Sequence, residues 1–255
     1  MGGDVSSIAI ASLVFLCTFV GGMLGMRSRE ALPEHHLSSE SKDVVRLCMG
    51  LIATMTALIL GLVTASAKAS FDAQDAAFHS AAADIVVLDR TLAAYGRETA
   101  PLRDALRETL RARLDATREQ GSPADAGAEP GAGQGERLLG GILALTPKDD
   151  GQRWQQSQAL SIGSEVIKTR WLSAIGEINT VSTPFLIVIV FWLTTLFWSF
   201  GLFAPRNGTV TAVMMLSALS VSASVLLILE MQTPFSGLLR ISNAPLRYAL
   251  QQLGG

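Results

Sequence analysis

The sequence predicts an all-α, multi-pass membrane protein with four transmembrane helices and a soluble helical-hairpin arm between helices two and three. Four segments, each 21 to 28 residues long, contain no Asp, Glu, Lys or Arg: 5–26, 47–67, 178–205 and 207–229. A helix crosses the hydrocarbon layer of a bilayer with roughly 20 apolar residues. The whole chain is 49% hydrophobic and 16% charged, whereas soluble domains carry about 25% charged residues. A secreted or cytosolic globular enzyme is therefore disfavoured.

The first apolar segment is predicted to be a retained membrane anchor. Asp4 is the only charge before it, so the basic region that opens a signal peptide is missing. The segment ends in Met26-Arg27, which is unlike a small-residue cleavage site. We therefore expect residues 1–68 to form membrane helices one and two with their connecting loop.

Small and hydroxyl residues distinguish the second and fourth segments. The small residues of the second segment follow one helical face: Gly50, Ala53, Ala57, Gly61 and Ala65. The fourth segment has a row of three serines, Ser217, Ser220 and Ser224. Ser222 lies alongside this row. Such faces suit close helix packing, or they form the wall of a water-filled path. In the second case the candidate pore residues are Thr54, Ala57, Gly61 and the three serines of the row.

The arm, residues 69–177, is predicted to be helical. Apolar residues recur every seven positions from Phe71 to Leu92, and a second set follows three residues after each, ending at Tyr95. This pattern is an a/d seam that is typical of packed helices. Gly96 and Pro101 end the helix, and a second helix follows with a leucine stripe.

The rest of the arm contains a flexible loop and a returning helix. Residues 121–136 are rich in Gly, Ala and Pro and are predicted to form the loop. The returning helix starts near Gln152 and leads into membrane helix three, where Pro184 is expected to kink it. Residues 178–255 are then membrane helices three and four with a C-terminal tail.

Short-loop charges set the expected orientation in the cell (inner) membrane. The loop from Arg27 to Arg46 has four Lys or Arg residues and the turn between helices three and four has Arg206, whereas the C-terminal tail has only two. Because positive loops stay in the cytoplasm, both termini and the arm are expected outside it.

No catalytic, cofactor or metal site is predicted. The sequence lacks a nucleophile elbow, a P-loop, HExxH and GxGxxG. The paired His35-His36 and the single His79 do not have metal-ligand spacing. A net charge of -2 gives no basic face for nucleic acid. The expected partners are the lipid bilayer, further copies of the chain, and a protein that binds the arm.

Glu230 is the most notable single residue, because it follows an uncharged run that begins at Asn207. An ionisable group within a membrane span is costly and is a functional candidate. Alternatively, Glu230 lies at the membrane interface and reaches water. Pro234 and Gly237 would break the helix just beyond it, so all three residues are candidates for the mouth or gate of a pore.

Three stretches that occur in order carry a family resemblance. They are LPEHHLSSESKDVV leading into GLIATMTALILGLVTASAKASFD, then LDRTLAAYG, and finally LILEMQTPFSGLLRIS. Together they resemble the bacterial bestrophin-like membrane proteins. The resemblance implies distant kinship with the bestrophin anion channels, which are pentamers. The family pattern has a second acidic residue, in an Asp-x-Pro-Phe arrangement, where this chain has Gln232, so Glu230 is expected to act without a carboxylate partner.

Two functions follow as hypotheses. The first is an oligomeric ion channel of undetermined selectivity, since a lone acidic ring favours cations whereas the kinship is to anion channels. The second is a non-conducting membrane scaffold or envelope sensor that acts through its arm.

Overall fold

The structure is a computed structural model that describes residues 2–31, 39–120, 133–176, 183–233 and 239–253. The described residues form eight α-helices and no strand, which confirms the predicted all-α class. The helices are α1 (Gly2–Ala31), α2 (Ser39–Tyr95), α3 (Ala100–Gln120), α4 (Gln134–Leu143), α5 (Asp150–Gly176), α6 (Thr183–Phe203), α7 (Gly208–Met231) and α8 (Ala244–Gln252).

Four of these helices, α1, α2, α6 and α7, are long and apolar enough to cross a membrane. They coincide with the four uncharged segments of the sequence. α2 has 57 residues, far more than the roughly 20 that span the hydrocarbon layer. Pro184 is the second residue of α6, in the first turn of a helix, where its missing N–H leaves no helical hydrogen bond unmade.

The chain divides into two compact units. The membrane unit contains Met1–Ser70 and Thr180–Gln232, and the arm unit contains Phe71–Asn179 and Thr233–Gly255. The first boundary falls within α2, two residues beyond the end of the predicted membrane segment 1–68. The C-terminal segment differs from the predicted grouping of 178–255, because α8 is part of the arm unit.

Glycines bring α1 and α6 into backbone contact within the membrane unit. A Cβ atom on Gly25 would lie 2.0 Å from the carbonyl oxygen of Trp198, and one on Gly201 would lie 2.0 Å from that of Gly22. Small residues four apart permit this close approach of membrane helices. Sequence reasoning placed such packing on α2 and missed it here, although Gly21 and Gly25 carry the same signal.

α7 is joined to α1 by a buried hydrogen bond and an apolar cluster. The Ser222 hydroxyl donates to the carbonyl oxygen of Ala11 at 2.6 Å. Further along the same helices, four buried residues form an apolar cluster: Met26, Phe197, Met214 and Ala218. A hydroxyl with a partner can be buried at little cost, which lets α7 lie against α1 at this point.

Two arginines satisfy carbonyl groups where α1 and α6 end. Arg29 Nη1 donates to the carbonyl oxygen of Ala204 at 3.1 Å, and Arg206 Nη2 donates to that of Met26 at 2.9 Å. The Ala204 carbonyl lies just beyond α6, where carbonyl groups have no partner within the helix, whereas the Met26 carbonyl lies within the last two turns of α1. These cross-links therefore stabilise the same end of the α1–α6–α7 bundle.

The arm unit is a bundle with one apolar core. Residues of α2, α3, α4, α5 and α8 form its buried centre: Ala82, Ile85, Leu88, Leu92, Leu106, Leu110, Ile142, Ala159, Leu246, Ala249 and Leu253. The outer half of the predicted seam is thus buried, with Leu88 and Leu92 each 1% exposed. The arm has more helices than the predicted hairpin because α4 and α8 add their own apolar faces.

Gly96 ends α2 as predicted, and polar contacts hold the turn. Its φ of 139° lies in a region that L side chains rarely adopt. Thr99 Oγ1 lies 2.5 Å from the carbonyl oxygen of Leu92, and Gln152 Nε2 donates to that of Tyr95 at 2.9 Å. The carbonyls at the end of α2 are therefore satisfied by α5 and by the turn itself.

A buried ion pair joins α2 to α3. Asp89 is 1% exposed and accepts hydrogen bonds from Arg103 Nε at 2.7 Å and from Nη2 at 2.8 Å. This two-pronged geometry is the strongest form of an arginine–carboxylate contact. The hydrogen bond to Asp89 raises the pKa of Arg103, although burial acts in the opposite direction.

α4 begins at Gln134, so the last three residues of the predicted loop 121–136 are helical. Residues 121–132 lie outside the described residues. Gln156 of α5 donates to the carbonyl oxygens of Ile142 and Leu145, each at 2.9 Å. This side chain satisfies the end of α4 and explains how so short a helix is held in place.

Candidate functional site

The candidate site is the surface of α2 within the membrane unit. Only 6% of the apolar segment of α2 is buried, compared with 33% for α1, 39% for α6 and 28% for α7. The other three helices each use part of their surface to pack within the chain. α2 buries few residues of its apolar segment: Thr56 and Ala67 are buried, and one side, including Ile52 and Ile59, is half-buried.

The predicted small-residue face is open along α2. Thr54, Ala57 and Gly61 are all exposed, and a Cβ atom added to Gly50 or to Gly61 would meet no atom within 4 Å. The Thr54 hydroxyl donates to the carbonyl oxygen of Gly50 at 2.8 Å. This face is therefore smooth, its hydroxyl is already hydrogen-bonded, and it packs against nothing within the described chain.

A stripe of large apolar side chains runs beside this face. Leu47 is 76% exposed, and Leu58 and Leu62 are each 69% exposed. At 100° per residue, Leu58 lies about a quarter-turn from Ala57. Leu58 is also one turn from Thr54, so the leucines adjoin the small residues on one broad uncovered surface, whereas Met55, which is 48% exposed, lies about 160° around the helix from Ala57.

The serine row of α7 is also at the surface. Ser217 and Ser220 are exposed, and Ser224 is half-buried and donates to the carbonyl oxygen of Ser220 at 3.1 Å. The serine that joins helices is instead Ser222, which lies on the opposite, buried side. The three predicted serines share one face, as expected from their spacing.

Glu230 is buried. It lies in the last turn of α7 and is 1% exposed, so its position near the helix end does not place the side chain in water. A buried carboxyl must be paired or hydrogen-bonded, or its charge becomes costly. Pro234 and Gly237, the other predicted residues of this region, lie outside the described residues.

The small-residue face of α2 carries a hydroxyl group but no charge. Groups of three or more His, Cys, Asp or Glu side chains that could hold a metal ion do not occur in the part of the chain that the structure describes. A face of small residues and satisfied hydroxyls binds ions only weakly, and a conducting path needs weak sites so that ions can leave.

Sequence reasoning missed three contacts that build the site's framework. These contacts decide which surfaces of the membrane unit are buried. They are the close approach of Gly25 to Trp198, the Ser222–Ala11 hydrogen bond and the Arg206–Met26 hydrogen bond. The glycine spacing was the one available signal. The other two depend on which helices become neighbours, and a single-chain pattern does not show that.

Comparison with known proteins identifies the family and nothing closer. A family model described as Bestrophin-like domain matches residues 16–246. This range covers α2 to α7, the second half of α1 and the first three residues of α8. No curated protein and no solved structure matches the chain.

Proposed function

Because the chain belongs to the bestrophin-like family, we propose that this membrane protein assembles into a homo-oligomeric ion channel whose pore is lined by the small-residue face of α2. The main support for the proposal is the exposure of α2. Only 6% of its apolar segment is buried within the chain. One helix cannot enclose a path. Several copies around an axis would cover the leucine stripe and leave the small residues facing inward.

The chemistry of the face supports this assignment. Gly50, Ala57 and Gly61 leave space beside the helix axis, and Thr54 adds a hydroxyl without a charge. The leucine stripe could contact lipid as well as another copy of the chain. If α2 faced lipid alone, however, its small residues would contribute little packing. Apolar constrictions formed by small side chains can gate such a pore by excluding water.

Flux through reconstituted protein tests the pore lining with a matched pair of variants. Ala57→Trp is expected to remove most of the ion flux in liposomes, because the indole would project into the path. Met55→Trp, with the same side chain about 160° around the helix from Ala57, is expected to keep it. Equal flux in both variants, or no flux from the native protein under any condition, would contradict the proposal.

Glu230 is proposed to set selectivity. Because Glu230 is buried within its own copy, its carboxylate would act on permeating ions through its electric field and not as an exposed ring, and a negative field favours cations. Glu230→Gln keeps the shape and removes the charge, so the cation-to-anion permeability ratio is expected to fall. Reversal potentials under a salt gradient measure this ratio, and an unchanged ratio would remove Glu230 from the selectivity site.

The alternative, a scaffold or sensor that acts through the arm, loses its main feature. The heptad seam that suggested a partner is buried within the arm, where Leu88 contributes to the chain's own core. A protein partner would have to bind another surface. The absence of ion flux in liposomes, together with a specific crosslink between the arm and a protein partner, would favour this function over the channel.

The proposed orientation places both termini and the arm outside the cytoplasm. The test uses Ser157→Cys, on an exposed position of α5, with Cys17 and Cys48 replaced by serine. A membrane-impermeant thiol reagent is expected to label intact cells from outside. Labelling only after permeabilisation would reverse the orientation.

A further inference from the structure

One face of α1 remains uncovered after the membrane unit has packed. Val14 and Thr18 are 1% and 0% exposed against α6 and α7, whereas the opposite side carries large exposed side chains. These are Leu13, Leu16, Val20 and Leu24, exposed by 58%, 58%, 41% and 53%. Their spacings of three, four and four residues place them on one narrow stripe.

Arg27 continues this stripe, one turn beyond Leu24. Its side chain is exposed. Eleven residues separate Leu13 from Leu24, a rise of about 16 Å. That is about half of a hydrocarbon layer of roughly 30 Å. The stripe therefore has the length of a single leaflet, with a guanidinium at its headgroup end.

A second arginine is hydrogen-bonded to the turn of α1 that carries Arg27. Arg206 donates to the carbonyl oxygen of Met26, the residue before Arg27, so its guanidinium is held at the same turn of α1. The two chain segments at this end of the bundle, 27–31 and 204–209, contain three arginines and one acidic residue, Glu30. The local charge is thus positive, and arginine binds phosphate oxygens in a two-pronged manner.

We propose that this surface binds an anionic phospholipid, with its phosphate at Arg27 and Arg206 and an acyl chain along the stripe from Leu13 to Leu24. The apolar stripe alone would accept any lipid. The arginines make the site selective for a headgroup with net negative charge, because a zwitterionic headgroup brings its own cation close to them. The site is distinct from the proposed pore and does not depend on ion conduction.

Lipid retention by the purified full-length protein tests the proposal. Protein in detergent is supplied with dioleoyl phosphatidylglycerol and dioleoyl phosphatidylcholine in equal amounts, and bound lipid is counted by native mass spectrometry. The two probes have the same acyl chains, so a preference for phosphatidylglycerol reports the headgroup alone. Arg27→Gln is expected to lower that preference about fivefold, the effect of one arginine near a membrane surface.

Arg153→Gln is the matched control, because Arg153 is an exposed arginine of the arm that pairs only with its helical neighbour Asp150. It is expected to leave the preference unchanged. If the native protein retains both lipids equally, the proposal is overturned without any variant, as it would be if a second copy covered the stripe. Complete displacement of phosphatidylglycerol by inorganic phosphate would show a site for the free anion and would also overturn it.

Discussion

At the scale of single residues, burial decides which charges matter. Asp89 and Glu98 each face a basic residue, but Asp89 is 1% exposed whereas the side chains of Glu98 and Lys148 are 44% and 73% exposed. The hydrogen bond from Lys148 to Glu98 raises the pKa of Lys148. That pair's contribution is therefore present at neutral pH and is lost only as the pH rises through the raised pKa. Sequence alone ranks the two pairs equally.

Asp89→Ala is expected to destabilise the arm by about 3 kcal/mol, because it leaves the Arg103 guanidinium without its buried partner. The value is at the low end for a buried pair, since Arg103 keeps 21% of its side chain exposed and can turn toward water. Glu98→Ala, the exposed control, is expected to have little effect. Thermal unfolding in detergent, followed by circular dichroism, compares them. Similar losses in both variants would contradict the role given to burial.

At the scale of helices, the same residue type has opposite consequences on α1 and α2. Gly25 lies against the backbone of α6, whereas Gly61 has no neighbour within 4 Å of the position of a Cβ atom. A glycine in a membrane helix is therefore not evidence of packing until its neighbour is known. Ser222 and Ser220, two residues apart on α7, differ in the same way.

Gly25→Leu is expected to separate α1 from α6 and to prevent the membrane unit from folding, because the new Cβ would lie 2.0 Å from the Trp198 carbonyl oxygen. Gly61→Leu is expected to leave each chain folded and the oligomer size unchanged, since the small face of α2 is proposed to line the pore and Gly61 has no neighbour within 4 Å. Size-exclusion chromatography with light scattering distinguishes the two outcomes. A folded, native-sized Gly25→Leu protein would show that the helices approach less closely than described.

At the scale of the whole molecule, α8 contributes the last residues of the arm core. Leu246, Ala249 and Leu253 of α8 are buried in the arm core, although the sequence places them after the last membrane helix. The arm is thus built from two chain segments that are separated by membrane helices α6 and α7. Its core closes only after α8 has been made.

Leu246→Ala is expected to destabilise the arm by about 2–5 kcal/mol, because it leaves a cavity in a packed core. Tyr248→Ala, two residues away but 64% exposed, is expected to change stability by no more than about 0.5 kcal/mol. Limited proteolysis of the arm in the native protein reads out both variants. Equal protease resistance would mean that α8 is dispensable for the core.

Local physical chemistry made much of this protein readable from its sequence. The four membrane helices follow from the absence of charge over 21 residues or more, since hydrocarbon excludes ions wherever they occur. The end of α2 at Gly96 follows from one residue's conformational freedom, and the family follows from three ordered stretches. The helical nature of the arm and the shared faces of Thr54, Ala57 and Gly61, and of the α7 serines, follow from 3.6 residues per turn.

Tertiary structure decided which of those faces are used. Periodicity shows that residues share a face, but the partner of that face depends on contacts between residues far apart in the chain, such as Ser222 with Ala11 and Arg206 with Met26. For the same reason, the burial of Glu230, the uncovered surface of α2 and the docking of α8 into the arm emerged only from the fold.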